Sequence, residues 1–360
     1  MDRASGRFTG KPASVLSSRL NNVTLKEGDI IHSRYKLLRL IGRGASGEVW
    51  AARNQLIERD VALKVLEPEV TKDKVLLRRF FNEAKSIGRV NHPSIVEILD
   101  IGQAEDGSPF LVLELLDGEP LRGRLLREGS IEPELLFDVC SGVARALDLA
   151  HQKGIVHRDL KPANIFMHRT ATGSLVSKIL DFGISKIISG HPSNFALTRT
   201  GTIVGSPAYM SPEQAAGRED LDGRADVWSL GIVLYEALCG QLPHQAPNYN
   251  ALMVAILTED VMPVALRRSD LPSSVCHVID CCLKRDRERR PGADALASMM
   301  EAATRELRAE RFRQSGGRRR DDQQDNGGPS TPVQKIIAAA TIAGLAGGTL
   351  GFLLGYFVAQ

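Results

Sequence analysis

The sequence predicts an α+β fold of two lobes, β-rich before mainly helical, followed by a linker and one transmembrane helix. Three observations predict it. Short apolar runs with Gly punctuation crowd the chain up to Leu113, stripes at helical spacing dominate from Pro133 onward, and residues 336–359 form one uncharged apolar run. Composition sets the outer limits. With 360 residues, 43% hydrophobic and 25% charged, the chain has the make-up of a globular protein, which excludes disorder over its whole length. A net charge of +3 without a basic stripe argues against a nucleic-acid partner. The five cysteines (Cys140, Cys239, Cys276, Cys281 and Cys282) are odd in number and form neither a C-x-x-C pair nor zinc-ligand spacing. They read as core residues in a reducing compartment.

Residues 1–34 are rich in Ser, Asn, Gly and Arg and read as a flexible N-terminal arm, with order starting at Tyr35. The opening residues lack the apolar run of a signal peptide, so the body is expected to stay unexported. Residues 35–40 form a strand that leads into a glycine cluster, and residues 61–66 form a second short apolar strand. Leu76, Leu77, Phe80, Phe81, Ala84 and Ile87 then recur at helical spacing, and residues 110–113 return to strand. Pro133 opens a long helix whose stripe runs through Leu136, Val143, Leu147 and Ala150 and stops at Gly154. Residues 227–238 are apolar almost all round, as a helix at the centre of a lobe would be. Residues 301–313 read as a charged helix, and the Gly, Asp, Gln and Pro that follow read as a polar linker reaching residue 335.

The glycine cluster is Gly42-Arg43-Gly44-Ala45-Ser46-Gly47-Glu48-Val49. G-x-G-x-x-G also occurs in dinucleotide-binding folds, but there a helix begins at the glycines so that its N-terminus meets the pyrophosphate. Here a strand follows, which favours a hairpin folded over phosphates; a merely flexible turn is the alternative. Lys64, at the end of V-A-x-K, is either a solvated edge residue or a phosphate ligand. Its expected partner is Glu83, which shares a largely apolar helix face with Phe80 and Ile87, because a buried carboxylate needs a cation. A solvated Glu83 is the alternative. The strongest signal is His157-Arg158-Asp159-Leu160-Lys161-Pro162-Ala163-Asn164, followed 22 residues after Asp159 by Asp181-Phe182-Gly183. Two Asp, an Asn and a Lys on two loops make a site for an anion with a divalent metal, since Mg²⁺ takes a few oxygen ligands plus substrate phosphates.

On these motifs the chain resembles the protein-kinase superfamily, specifically the eukaryotic-like Ser/Thr kinases of bacteria. The resemblance covers residues 35–300 as a kinase domain, with an N-lobe at 35–116 and a C-lobe at 117–300. It implies ATP and Mg²⁺ (Mn²⁺ in its place) as cofactors and proteins as substrates. In such a kinase Gly42, Gly44 and Gly47 cover the phosphates, while Ile41, Val49 and Ala62 line the nucleotide. Glu114 and Leu116 offer backbone bonds to adenine, and Asp117 meets the ribose. Lys64 pairs with Glu83 and holds phosphates, Asp159 is the base, Lys161 steadies the phosphoryl group, and Asn164 and Asp181 hold metal. His157, Arg158, Phe182, Gly183, Ser206, Glu213, Asp226 and Arg290 are implied to brace these groups, the last through a Glu213–Arg290 pair. Thr198, Thr200 and Thr202 are the implied activation-loop phosphosites. Ser211, Leu63 and Ser206 depart from the family's usual Ala, Ile and Thr, and none removes a catalytic group. A membrane-tethered pseudokinase scaffold is the rival reading, which loss of Lys64, Asp159 or Asp181 would favour; all three are present.

Residues 336–359 contain no charged, Asn or Gln side chain. As a helix they span ~36 Å, enough for a hydrocarbon core of about 30 Å. Lys335 and the Arg318-Arg319-Arg320 run put the preceding body in the cytoplasm, so a single pass through a bacterial cytoplasmic (inner) membrane is expected. Ala339, Ala343, Gly347, Gly351 and Gly355 recur every fourth residue, a pattern that permits close helix pairing and a homodimer through this Gly-rich helix and the kinase domain.

Overall fold

The computed structural model describes residues 25–44, 47–66, 74–182 and 207–324, with side chains as far as residue 313. By contact the chain divides into two units, Met1–Ala309 and Glu310–Gln360. In the first unit, β1 (Ile30–Ile31), β2 (Tyr35–Gly44), β3 (Gly47–Asn54), β4 (Arg59–Leu66), β5 (Ile98–Gln103) and β6 (Pro109–Glu114) form an antiparallel sheet in the order β1-β2-β3-β4-β6-β5. Order therefore begins ahead of Tyr35. Ile31 pairs with Tyr35 across a turn that places His32 and Ser33 at positive φ, and a two-residue strand carries no periodicity to read.

The period of two along β4 decides which side chains face the site. Val61, Leu63 and Val65 pack with Tyr35, Leu37, Trp50 and Phe110 on one face, whereas Leu66 joins the main core on the other. Lys64 shares the face of Leu66 and Ala62, opposite Val49 on β3 and Leu111 on β6. It therefore points toward the helical half. Helix α1 (Lys74–Ile87) covers that face, burying Phe80, Ala84 and Ile87.

The helical half is built on α2 (Leu121–Glu128), α3 (Pro133–Gln152), α4 (Pro212–Ala215), α5 (Arg224–Cys239), α6 (Tyr249–Thr258), α7 (Ser273–Cys282) and α8 (Ala293–Gln324). The strands β7 (Gly118–Pro120), β8 (Ile165–Arg169) and β9 (Leu175–Ile179) form a second, small sheet in that order. Helix α3 opens with Pro133 at its first turn and with the Glu132 side chain accepting the Leu135 N–H, so two of the four orphan donors are accounted for. Helix α5 is buried along its length from Ala225 to Leu238. Its apolar perimeter is the signature of a central helix.

The terminal helix corrects an expectation. It runs over Ala293–Gln324, starting before residue 301 and continuing into the stretch read as linker. Its first turns are core, with Leu296, Ala297 and Met300 fully buried. Ion pairs then fasten it to α3: Arg145 with Asp294 and Glu301, and Arg308 with Glu134 and Asp138. Among the described residues no helix is long and apolar enough to cross a membrane. The apolar run 336–359 lies outside the described residues, as do Gly183, Thr198, Thr200, Thr202 and Ser206.

Candidate active site

The site is assembled where β3, β4 and the two loops after α3 and β9 meet. Asp226, at the start of α5, is completely buried and organises the first of these loops. Its Oδ2 accepts the His157 N–H and its Oδ1 the Arg158 N–H, both at 2.8 Å, and His151 Nε2 lies 2.8 Å from Oδ2. Gly223 is what lets His151 in, since a Cβ there would stand 2.2 Å from its ring. Burial pushes the Asp226 carboxyl up, but the His151 bond and the nearby His157 outweigh it and hold the group below its ordinary value. The anchored backbone carries Arg158 at φ 64°, a left-handed conformation that costs a non-glycine residue of order 1 kcal/mol or more.

His157 links the two loops. Its Nδ1 accepts the Asp159 N–H at 3.2 Å, which leaves Nε2 to donate to Leu180 O at 3.0 Å, and its ring lies 4.8 Å from that of buried Phe182. One imidazole thus ties Asp159 to the residue before Asp181. Around Asp159, Lys161 Nζ donates to Oδ2 at 2.8 Å, and Asn164 Nδ2 donates to the backbone O at 2.8 Å and to Oδ2 at 3.3 Å. With its amide nitrogen committed there, Asn164 keeps its oxygen for another ligand.

Ser211 caps α4 in a reciprocal box with Gln214, and Gln214 Nε2 donates to Arg158 O at 2.9 Å. The Ser at this position thereby braces the strained carbonyl of the first loop. Behind it, Arg290 uses all five of its N–H donors. Glu213 takes two at 2.7 and 3.0 Å, and the carbonyls of Lys284, Arg224 and Arg285 take the rest. The expected Glu213–Arg290 pair is present, buried and bidentate.

On the sheet side the arrangement differs from the expected one. Lys64, 4% exposed, pairs with Asp181 and not with Glu83. The ammonium meets the carboxylate held closest to it, and Asp181 sits at φ 51° at the end of the β9 loop. Glu83 is half-buried; desolvation raises its carboxyl above the ordinary value, partly offset by the fields of Arg158 and Arg79. The glycines divide into two kinds. Gly47, at φ 131°, is demanded by the hairpin, since a Cβ would lie 2.1 Å from Val65 O. Among the described residues nothing lies within 4 Å of a Cβ built at Gly42 or Gly44, so their packing does not require glycine. Ile41 is exposed beside them, Ala62 is buried beneath, and Val49 is partly covered. Glu114, Leu116 and Asp117 follow on the connection between the lobes, with Asp117 exposed.

Oxygen donors from Asn164 and Asp181 beside a buried lysine suit a hard divalent cation that is shared with phosphates. His157 joins the catalytic loop to the second metal-type loop, and Lys64 joins that loop to β4. Sequence reasoning missed His151 and Gln214. His151 sits six residues before His157, at the end of a helix, and only the fold folds it back onto Asp226.

This combination of a sheet lobe, a helical lobe and an Asp-centred loop pair is matched by a family model described as protein kinase domain, over residues 35–300. The chain belongs to that family. It is 37% identical over 284 residues to the serine/threonine-protein kinase pkn3 of Myxococcus xanthus, covering 78% of this chain and 52% of that protein. It is also 37% identical over 263 residues to the serine/threonine-protein kinase PknB of Mycobacterium tuberculosis, covering 72% and 41%. The chain thus spans about half the length of the curated relatives it matches. The crystal structure of the PknI kinase domain of Mycobacterium tuberculosis superposes with a TM-score of 0.59 at 26% identity, covering 78% of this chain and 100% of that one. Protein kinases as a family use ATP and a divalent metal, and the donor set described above fits both.

Proposed function

We propose that this chain is a protein Ser/Thr kinase that moves the γ-phosphoryl group of ATP to a Ser or Thr hydroxyl of a protein. The observation that carries the reading is the setting of Asp159. Lys161 and Asn164 both approach Oδ2, and Oδ1 takes no bond from the described residues. As the substrate oxygen bonds to the γ-phosphorus and the bond to the leaving ADP oxygen breaks, the hydroxyl proton passes to Asp159. Lys161 follows the nucleophile's oxygen and neutralises charge on the moving group. Lys64 contributes a second cation for the phosphates. Asn164 and Asp181 would hold Mg²⁺, or Mn²⁺ in its place, which supplies charge neutralisation at the phosphates when bound.

The names of the relatives support Ser and Thr as acceptors. Position 163 of the catalytic loop is Ala and carries no acid. The buried acid Glu236 is already engaged by Arg122 at 2.9 Å and by the Tyr209 hydroxyl at 2.5 Å. Both features support a substrate preference without an upstream Arg requirement. We read residues 336–359 as a single-pass anchor in the bacterial cytoplasmic membrane, with the kinase domain in the cytoplasm and helix pairing through Gly347 and Gly351. Activation by autophosphorylation at Thr198, Thr200 or Thr202 completes the proposal, with phosphate docking against the Arg158 region.

The test is incubation of the purified full chain with γ-labelled ATP, Mg²⁺ and a general protein substrate, followed by phosphoamino-acid analysis and site mapping. Phosphoserine or phosphothreonine is expected on the substrate, with Thr198 or Thr200 among the self-modified sites. No label transfer would sink the enzymatic reading, and release of the chain from membranes by alkaline carbonate would sink the anchor.

A further inference from the structure

A polar cluster behind the nucleotide site joins three separate segments of chain. Glu114 ends β6, where the sheet lobe passes into the helical lobe. Its side chain is only 17% exposed, and Oε1 accepts the Glu97 N–H at 2.9 Å and also meets Lys178 Nζ at 2.5 Å. Lys178 lies on β9, three residues ahead of Asp181; its side chain is 12% exposed, and its ammonium also reaches Ile95 O at 3.4 Å. Backbone bonds close the same ring. Glu114 N–H donates to Glu97 O at 3.1 Å, Val96 N–H to Ile179 O at 3.1 Å, and Ile179 N–H to Ser94 O at 2.8 Å. One residue further on, Leu180 N–H donates to Asn164 O at 2.8 Å. A single ammonium therefore fastens the interlobe connection, the 92–97 loop, and the strand that leads into Asp181.

A largely buried ion pair is weak evidence of stabilisation, because desolvation offsets much of the attraction. What it does fix is geometry. A nucleotide in this site would rest its base against the connection at Glu114 and its phosphates near Asp181, the two ends that Lys178 spans. Resting on the kinase reading above, we propose that Lys178 is a positioning residue for ATP, acting through Glu114 to hold the base-binding edge at a set distance from Asp181. Lys178 touches neither nucleotide nor reacting atoms in this role. Its effect should therefore fall on nucleotide affinity and spare the chemical step. Its field also acts on His92, whose imidazole is held below its ordinary value first by burial and then by the nearby ammonium.

The experiment compares the full chain with Lys178→Met, Lys178→Arg and Glu114→Gln. Two readouts are taken: the Kd of a non-hydrolysable ATP analogue with Mg²⁺ by calorimetry, and the KM for ATP against kcat. Lys178→Met and Glu114→Gln should each weaken analogue binding and raise the ATP KM about five- to tenfold, with kcat within about twofold, while Lys178→Arg stays near wild type. The pair combined should be no worse than either change alone, since both cut the same link. Unchanged Kd in both single variants overturns the proposal. So does a fall in kcat with unchanged Kd, or equal damage from Lys178→Arg. A wild-type chain that binds the analogue yet transfers no phosphate would refute the kinase reading and leave the binding comparison intact; if Lys178→Met does not fold, Glu114→Gln decides.

Discussion

The helical side and the sheet side of this site are held in opposite ways. On the helical side the two groups that brace the catalytic loop are buried and saturated: Asp226 accepts from two backbone N–H groups and His151, and Arg290 spends all five donors. On the sheet side Lys64 pairs, among the described residues, with the partly exposed Asp181 alone, while Glu83 is left half-buried with a raised carboxyl. Nothing among the described residues lies within 4 Å of a Cβ built at Gly42 or Gly44. A saturated buried network has one low-energy arrangement, because any shift leaves an unpaired group at a cost of about 1–3 kcal/mol. A lysine held by one carboxylate, beside glycines whose Cβ positions meet nothing among the described residues, is fixed by fewer contacts. The base and its supports are thus set in advance, and the phosphate-binding half is held more loosely.

The largest effect should come from the preset half. Asp159→Asn removes the proton acceptor and keeps the shape, so kcat should fall by about 10²–10⁴ in a phosphotransfer assay while nucleotide affinity holds. Lys64→Met, on the sheet side, should weaken both, which would separate the two halves in one pair of measurements. Arg290→Ala strands the buried Glu213 carboxylate, and chemical denaturation should show a loss of about 3–5 kcal/mol. Arg290→Lys should recover little, because an ammonium cannot make the forked pair.

Acidity gives two smaller and opposite effects. The Asp226 carboxyl is held below its ordinary value in the fold, so its stabilisation is present above the unfolded value near 3.8 and lost as pH falls through the folded one. Denaturation curves of the wild type should therefore weaken more steeply than those of Asp226→Asn below about pH 4. Glu83 has the reverse sign. Its folded value is raised above 4.5, so its charge opposes folding at neutral pH and the penalty fades as pH drops below the unfolded value. Glu83→Gln should raise Tm slightly at pH 7 and leave it unchanged near about pH 4. A drop in Tm at pH 7 would mean that Glu83 already has a firm partner, and the contrast between the halves would weaken.

Much of this was legible in the sequence, and for identifiable reasons. The catalytic loop and the Asp181 motif are contiguous, so their residue types and spacing carry the chemistry directly. Helices α3 and α5 declare themselves through an apolar stripe and an apolar perimeter. What escaped depends on distance in sequence. The His151 contact with Asp226 joins residues 75 apart, and Lys178 meets Glu114 across 64. The Lys64 partner was misassigned because the inward face of α1 shows that Glu83 points toward the site but says nothing of a nearer rival. The terminal helix outran its expected span because its buried first turns and its ion pairs to α3 are tertiary facts, invisible in a charged, low-hydrophobicity stretch.

Amide hydrogen exchange on the full chain, with and without Mg²⁺ and a non-hydrolysable ATP analogue, tests the division between the halves most directly. The account predicts strong protection at residues 157–159 before any nucleotide is added, unchanged by it. Protection in α1 and in the β2–β3 hairpin should be weaker at first and rise on binding. Equal initial protection in both regions, or a nucleotide-induced gain confined to residues 157–159, would contradict it.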